Sequence, residues 1–386
     1  MVLRISKDEA RRYMLSQLVL NRFAFGAAGA GLVDLLRHLR CIQIDPLSPM
    51  GSSPDMVVLA RTGGADFSSL FGDQLRGKGF EHFAKERCWL PAEAFPYYRA
   101  FTTERNWWGE TSRRDRVPPE TVAAVLDQVT REGPLTPADL DDYGKIQPLN
   151  YSGWKSTGKA GTMALEILWS RCQVVVIGKR GKDKLYDIPS RALPEHHQRD
   201  ADDSFARWGI RERVEACGLL PRAGGPHWSV LSFARQGEPL GSMLAEGEVV
   251  EVRVEGSSRP FLAPRDFMAR PTADPDEHLR ILAPLDPLLW DRKLVKQIFG
   301  FDYVWEVYKP IKKRIWGWYV CPLLQGGRLV GRLEGRCRDG VLHVDRVWRE
   351  QDVAPDSEAL DQALARHARA CGARDFKRPK RFLANP

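Results

Sequence analysis

The sequence, 386 residues long, predicts an α+β chain in which helices and short strands alternate up to about residue 273 and a β-rich domain follows. Three observations predict it. Helical patterns with capping residues alternate with short apolar strands in the earlier part of the chain. One run of three helices ends in a basic hairpin. From Asp274 onward, strand patterns are joined by Gln-Gly-Gly-Arg and Arg-Asp-Gly-Val, both strong hairpin signals.

Taken in order, Ser6 and Glu9 form a capping box ahead of the helical stretch SKDEARRYMLSQLVL. A small-residue loop, Gly26 to Gly31, separates it from a second helix, LVDLLRHL. The loop follows a helix and not a strand, so it does not fit a dinucleotide-binding turn. CIQIDPLSP comes next, a strand cut off by Pro46, followed by the aromatic clusters FEHFAKERCWLP and NWWGE. A clearer unit runs from Val117: PPETVAAVLDQVTREG is a helix with proline at its start and glycine past its end. Thr136 and Pro137 open a short helix, PADLDDYG. A linker holding Trp154 leads to a third helix, KAGTMALEILWSRC, and to two strands around a basic tip, QVVVIGKRGKDKLYDI. Three helices and a hairpin describe a winged helix-turn-helix, whose tip residues Lys179, Arg180 and Lys182 would reach phosphates. Ser204 to Leu220 begins a further helical region that ends in the strands EVVEVRVEG and RPFLAP, a degenerate winged helix. In the last domain Arg328, Arg332, Arg336 and Arg338 alternate with Leu329, Gly331, Leu333, Gly335 and Cys337, so one strand face reads as basic and the other as packed. An amphipathic helix, SEALDQALARHARACGA, closes the domain.

Composition narrows the function. The net charge is +8, and between Asp291 and Arg349 there are 13 basic and 6 acidic side chains, interleaved with aromatics. Such a surface suits nucleic acid, because clustered Lys and Arg release counterions from phosphates. No apolar run is long enough for a membrane span and the N-terminus lacks a signal-peptide core, so a cytoplasmic protein is expected. The seven cysteines are scattered and read as buried small residues. There is no Gly-x-Ser-x-Gly elbow, P-loop or His-Glu-x-x-His, and nothing implies a metal or a cofactor.

In CIQIDP, Gln43 and Asp45 lie on the face opposite Ile42 and Ile44 if the stretch is a strand. Taken alone, that pair is a solvated strand edge. With LAPLDPLLWDRKLVKQIFGFDYVWEVYKPIKKRIWGWYVCPLLQGGRLVGR in view, the chain resembles the bacterial winged-helix DNA glycosylases of the AlkZ/YcaQ type over essentially its whole length. The resemblance is densest in DPLLWDRK and PLLQGGRLVGR and sharpest at Gln-Ile-Asp, where the family carries a Gln-apolar-Asp or Gln-apolar-Gln catalytic pair. Many members read Tyr-Trp-Ala-His-Glu where this chain has His82, Phe83, Ala84, Lys85 and Glu86.

The resemblance implies tandem winged helix-turn-helix domains followed by a C-terminal β-rich domain. The boundaries are 1–116, with the Gln-x-Asp strand, then 117–200, 201–273 and 274–386. It implies a monofunctional enzyme, without a lyase step, that hydrolyses the N-glycosidic bond of N7-alkylated purines and unhooks interstrand crosslinks. The expected partner is double-stranded DNA and the expected state a monomer. Because an N7-alkylated guanine is already cationic, Asp45 need only stabilise the sugar as it becomes an oxocarbenium ion and take a proton from water that Gln43 positions. A base tied to the opposite strand cannot be swung out, so a shallow cationic cleft is expected. His82 and Lys85 are placed near substrate; Lys179, Arg180, Lys182, Arg328, Arg332, Arg336, Lys312 and Lys313 are placed on DNA. The alternative is a non-catalytic winged-helix DNA-binding regulator.

Overall fold

A computed structural model of the chain describes residues 2–24, 29–64, 75–105, 107, 110–151, 154–155, 157–351 and 353–385. It forms two compact units. The first comprises residues 1–70, 84–88 and 209–386, the second residues 71–83 and 89–208.

The first unit begins with the strand Val2–Ile5 and the helix Lys7–Gln17, whose capping box forms as expected: the Ser6 hydroxyl accepts from the Glu9 N–H and the Glu9 carboxylate accepts from the Ser6 N–H. The next helix starts at Gly29, inside the stretch expected to be a loop; Gly26 to Ala28 lie outside the described residues. Two sheets organise this unit. In one, Val2–Ile5 runs parallel to Val249–Val254, which pairs antiparallel with Pro260–Pro264, and Leu220–Pro221 completes the edge. In the other the order is Arg280–Ile281, Val320–Gln325, Arg328–Arg338, Val341–Arg349, Asp375–Lys377. Its two hairpins turn at Gly326-Gly327 and Asp339-Gly340, all four residues having positive φ, which explains why glycine or aspartate stands at each position. The helix Ser357–Ala370 closes the sheet, with Asp356 capping it through the Ala359 N–H.

A buried ion pair ties the sheet-bearing part to the helix Ser53–Thr62. Arg61 donates to both oxygens of Asp286, at 2.7 and 3.0 Å, and neither side chain is exposed. Asp286 also accepts the Leu288 N–H. The first acid of DPLLWDRK is thus an internal clamp that fixes where Trp290 stands.

The second unit packs the helices Pro119–Glu132 and Ala160–Ser170 around Val125, Val129, Met163, Leu165, Ile167 and Leu168. The hairpin Val175–Arg180 and Asp183–Asp187 follows, turning at Gly181, and Val176 pairs with Glu81 of the strand Gly79–Phe83. PADLDDYG is a turn and not a helix. The Thr136 N–H and hydroxyl donate to Asp139, Leu135 bridges to Tyr186, and Gln128 accepts the Asp141 N–H, so the backbone is tied to its neighbours before a second turn can form. The segment expected to be a linker carries two short paired strands, Asn150–Tyr151 and Trp154–Lys155. Asn106, Trp108 and Gly109 of NWWGE lie outside the described residues, and Trp107 is buried.

Candidate active site

The strand of CIQIDP is shorter than expected. It covers Ile42–Gln43, and one more backbone bond, from the Ile44 N–H to the Arg87 carbonyl, extends the pairing. Pro46 supplies no N–H and restricts the residue before it, so the chain leaves the sheet at Asp45. The Asp45 carboxylate turns back across the proline and accepts the Leu47 N–H at 2.8 Å. Gln43 and Asp45 are therefore placed by a strand end and a turn, not by a continuous strand face.

Their environments differ. Gln43 is only 6% exposed, and its Oε1 accepts from Lys85 Nζ at 3.0 Å. Because Lys85 donates, Oε1 must face it, and the amide NH2 is left as the free donor end. Asp45 is half-buried; burial pushes its pKa above the usual aspartate value, opposed by the Leu47 N–H. Burial also lowers the pKa of Lys85, whose Nζ lies 5.6 Å from the centre of the Trp290 ring. Lys85 and Trp290 line a cavity of about 450 Å³ together with His227, Arg259, Asp291 and Arg292. Arg259 grips Asp291 through both nitrogens, at 2.9 and 3.3 Å, and Asp291 caps the helix Arg292–Phe299 through the Lys293 and Leu294 N–H groups. The rim of this cavity is basic.

His82 and Lys85 part company. The stretch that holds them is the strand Gly79–Phe83 followed by a tight turn in which Ala84 N–H donates to the Glu86 carbonyl, so the chain turns between them. His82 is 1% exposed, its ring enclosed by Tyr98, Trp107 and Trp169 of the second unit. It is a core residue, and the expectation that it contacts substrate is withdrawn. Lys85, in the first unit, meets Gln43.

The expected DNA contacts also divide. Lys179, Arg180 and Lys182 stand exposed at the hairpin tip, with Arg180 paired to Asp139 at 2.8 Å. Lys312 and Lys313 are exposed, as are Arg328 and Arg336, the last paired with Asp345 at 2.7 Å. Arg332 is the correction: it is 1% exposed. Its guanidinium lies over Phe301 and Trp316, 4.2 and 3.7 Å from the ring centres, and pairs with Glu350 at 2.8 Å. The alternating pattern misled because the strand Arg328–Arg338 is central in its sheet and residues 329 to 335 are buried on both faces. The sequence reading also missed Trp290 and the Arg61–Asp286 clamp; an aspartate and a tryptophan inside the apolar run LAPLDPLLW were the available signal.

The family model of AlkZ-like DNA glycosylases matches residues 36–370. The chain belongs to that family of DNA-binding repair glycosylases. Among solved structures it is similar to the Streptomyces sahachiroi DNA glycosylase AlkZ, with a TM-score of 0.60 at 18% identity, over 97% of this chain and 100% of that one. At that identity the likeness concerns the fold, which is mixed α+β. No helix among the described residues is long and apolar enough to cross a membrane.

Proposed function

We propose that this glycosylase hydrolyses the N-glycosidic bond of N7-alkylated purines in duplex DNA, including crosslinked ones, with Asp45 as the electrostatic and basic group and Gln43 as the water holder. The observation that carries the reading is the asymmetry of the pair. Gln43 is buried with its Oε1 held by Lys85, which leaves the NH2 as its donor end, while Asp45 is half-buried and held by one backbone N–H. A carboxylate with a raised pKa is a better proton acceptor once ionised than a fully solvated one. An amide NH2 donates to the oxygen of a water whose protons face Asp45, which leaves a lone pair for C1′. In a partly dry site the carboxylate also stabilises the oxocarbenium ion more than it would in bulk water. Tandem winged helices would grip the duplex, the tip Lys179, Arg180 and Lys182 among the contacts, and no lyase step is assigned. Incubation with duplex carrying N7-methylguanine tests this: free base should appear. Tight, salt-sensitive binding without release would instead favour a non-catalytic DNA-binding regulator.

A further inference from the structure

The seven cysteines are not alike. Cys41, Cys88, Cys172, Cys217 and Cys321 are buried, whereas Cys337 and Cys371 are half-buried and meet, their sulfurs 2.8 Å apart. A disulfide bond is about 2.05 Å long, so less than an ångström of travel separates this contact from a bond. Cys337 stands near the end of the strand Arg328–Arg338, and Cys371 caps the helix Ser357–Ala370, where its thiol donates to the His367 carbonyl at 3.1 Å. Each sulfur is thus carried by a regular element, and the contact joins positions 34 apart in the chain.

The same two elements hold the segment that follows Asp45. The Cys337 N–H donates to the Pro49 carbonyl at 2.7 Å. One turn before Cys371 on its helix, the buried His367 donates from Nε2 to the Met50 carbonyl at 2.5 Å. Strand and helix therefore grip carbonyls 49 and 50, the far end of the turn that starts at Asp45, within one unit. A bond between the sulfurs would tie that grip covalently.

We propose that Cys337 and Cys371 form a redox site, which a small disulfide of the glutathione class oxidises to an intramolecular disulfide that fastens the helix Ser357–Ala370 to the strand Arg328–Arg338. Cys371 is the attacking sulfur, because the Cys337 thiol and backbone N–H groups donate towards it and hold its pKa below the ordinary thiol value. Its thiolate displaces one glutathione thiolate from glutathione disulfide and leaves a mixed disulfide. The Cys337 thiolate then attacks the Cys371 sulfur and expels the second glutathione. Two protein thiols are oxidised, one glutathione disulfide is reduced, and the two thiol protons end on the two glutathiones. In a reducing compartment the pair rests as thiols, and a more oxidising glutathione ratio closes it. Because the sulfurs already touch, closure reinforces the existing arrangement and does not rebuild it.

The test equilibrates the full chain with graded ratios of reduced and oxidised glutathione, traps free thiols by alkylation and maps the peptides. Wild type should lose two of its seven free thiols, yield a linked Cys337–Cys371 peptide without retained glutathione, and recover both thiols with dithiothreitol. Oxidation should raise the melting temperature by about 5 °C, from the length of the loop closed and the size of the unit, and slow hydrogen exchange at the Cys337 amide. Cys337→Ser should stop at the mixed disulfide, with one glutathione retained on Cys371, and should gain nothing in melting. Cys337 and Cys371 that stay open to alkylation at every ratio would overturn the proposal, as would a bond mapped elsewhere, such as between Cys41 and Cys88. A mapped Cys337–Cys371 bond that leaves melting and exchange unchanged would overturn its role as a tie. No readout depends on base release, so the result stands apart from the glycosylase reading.

Discussion

Replacing Asp45 by Asn is the sharpest perturbation, because it removes charge and basicity while keeping an oxygen for the Leu47 N–H that shapes the turn. Two contributions set the magnitude. A unit charge about 4 Å from the developing oxocarbenium ion, at an effective dielectric near 20, stabilises it by about 4 kcal/mol, or about a thousandfold. General-base catalysis is worth roughly two to four orders of magnitude, and the two overlap in one group. The expected loss is therefore about a thousandfold in the single-turnover rate of N7-methylguanine release, measured against the uncatalysed rate. The pH profile gives an independent reading. Burial raises the Asp45 pKa above 3.8, so the wild-type rate should climb with pH through that elevated value and then level off, and the variant should lose that limb. The stability sign is opposite. A folded pKa above the unfolded one means the protonated acid favours the folded state, and that contribution disappears as pH rises through the folded value. At neutral pH the Asn variant should therefore melt no lower than wild type. A variant that keeps wild-type turnover and the same pH limb would refute the assignment of Asp45.

Four other outcomes are expected. Lys85→Met should leave Gln43 Oε1 unpaired and slow base release about tenfold, the equivalent of one hydrogen bond, with Lys85→His recovering most of it in the same assay. Arg61→Met should lower the unfolding free energy by about 3–5 kcal/mol in denaturant titrations, since it leaves Asp286 buried and uncompensated, and Arg61→Met/Asp286→Leu should restore much of the loss. Arg332→Met should destabilise the fold while leaving the salt slope of DNA binding unchanged, as expected of a cation enclosed by Phe301, Trp316 and Glu350. Lys179→Ala/Lys182→Ala should lower that slope by up to about 1.8 with no change in melting, if the hairpin tip meets phosphates.

Local signals carried much of the fold. The capping box at Ser6, the proline-opened helix at Pro119, the basic hairpin and both glycine turns of the last sheet depend on neighbours within a few residues, and each stands where the sequence places it. The failures have one physical origin, which is tertiary burial. Alternation along residues 328–338 suggested a wet basic face, but a central strand covered on both sides buries Arg332 as fully as Leu333. His82 looked available for chemistry and was claimed by an aromatic core. PADLDDYG had a helix start and lost its helix to bonds with Gln128 and Tyr186. For the site, the residue types at 43 and 45 were visible in the sequence, whereas their positioning was not. A strand reading makes them equivalent, and the proline turn makes one a buried amide and the other a half-buried acid.

That inequality gives a reason for the chain's departure at position 85. An amide that holds water must present its NH2 end, yet a glutamine can flip, and both ends cost little to interchange unless a neighbour decides. Lys85 decides it, because its Nζ donates to Oε1 at 3.0 Å from a buried position where that acceptor would otherwise be desolvated and unpaired. A histidine, which many family members carry there, also offers a ring N–H for the same acceptor. Lysine and histidine differ in charge and shape but agree in the one property this contact uses. What position 85 must supply is a buried donor aimed at residue 43, and under the proposed mechanism the chemistry of base release rests on Asp45 in either case.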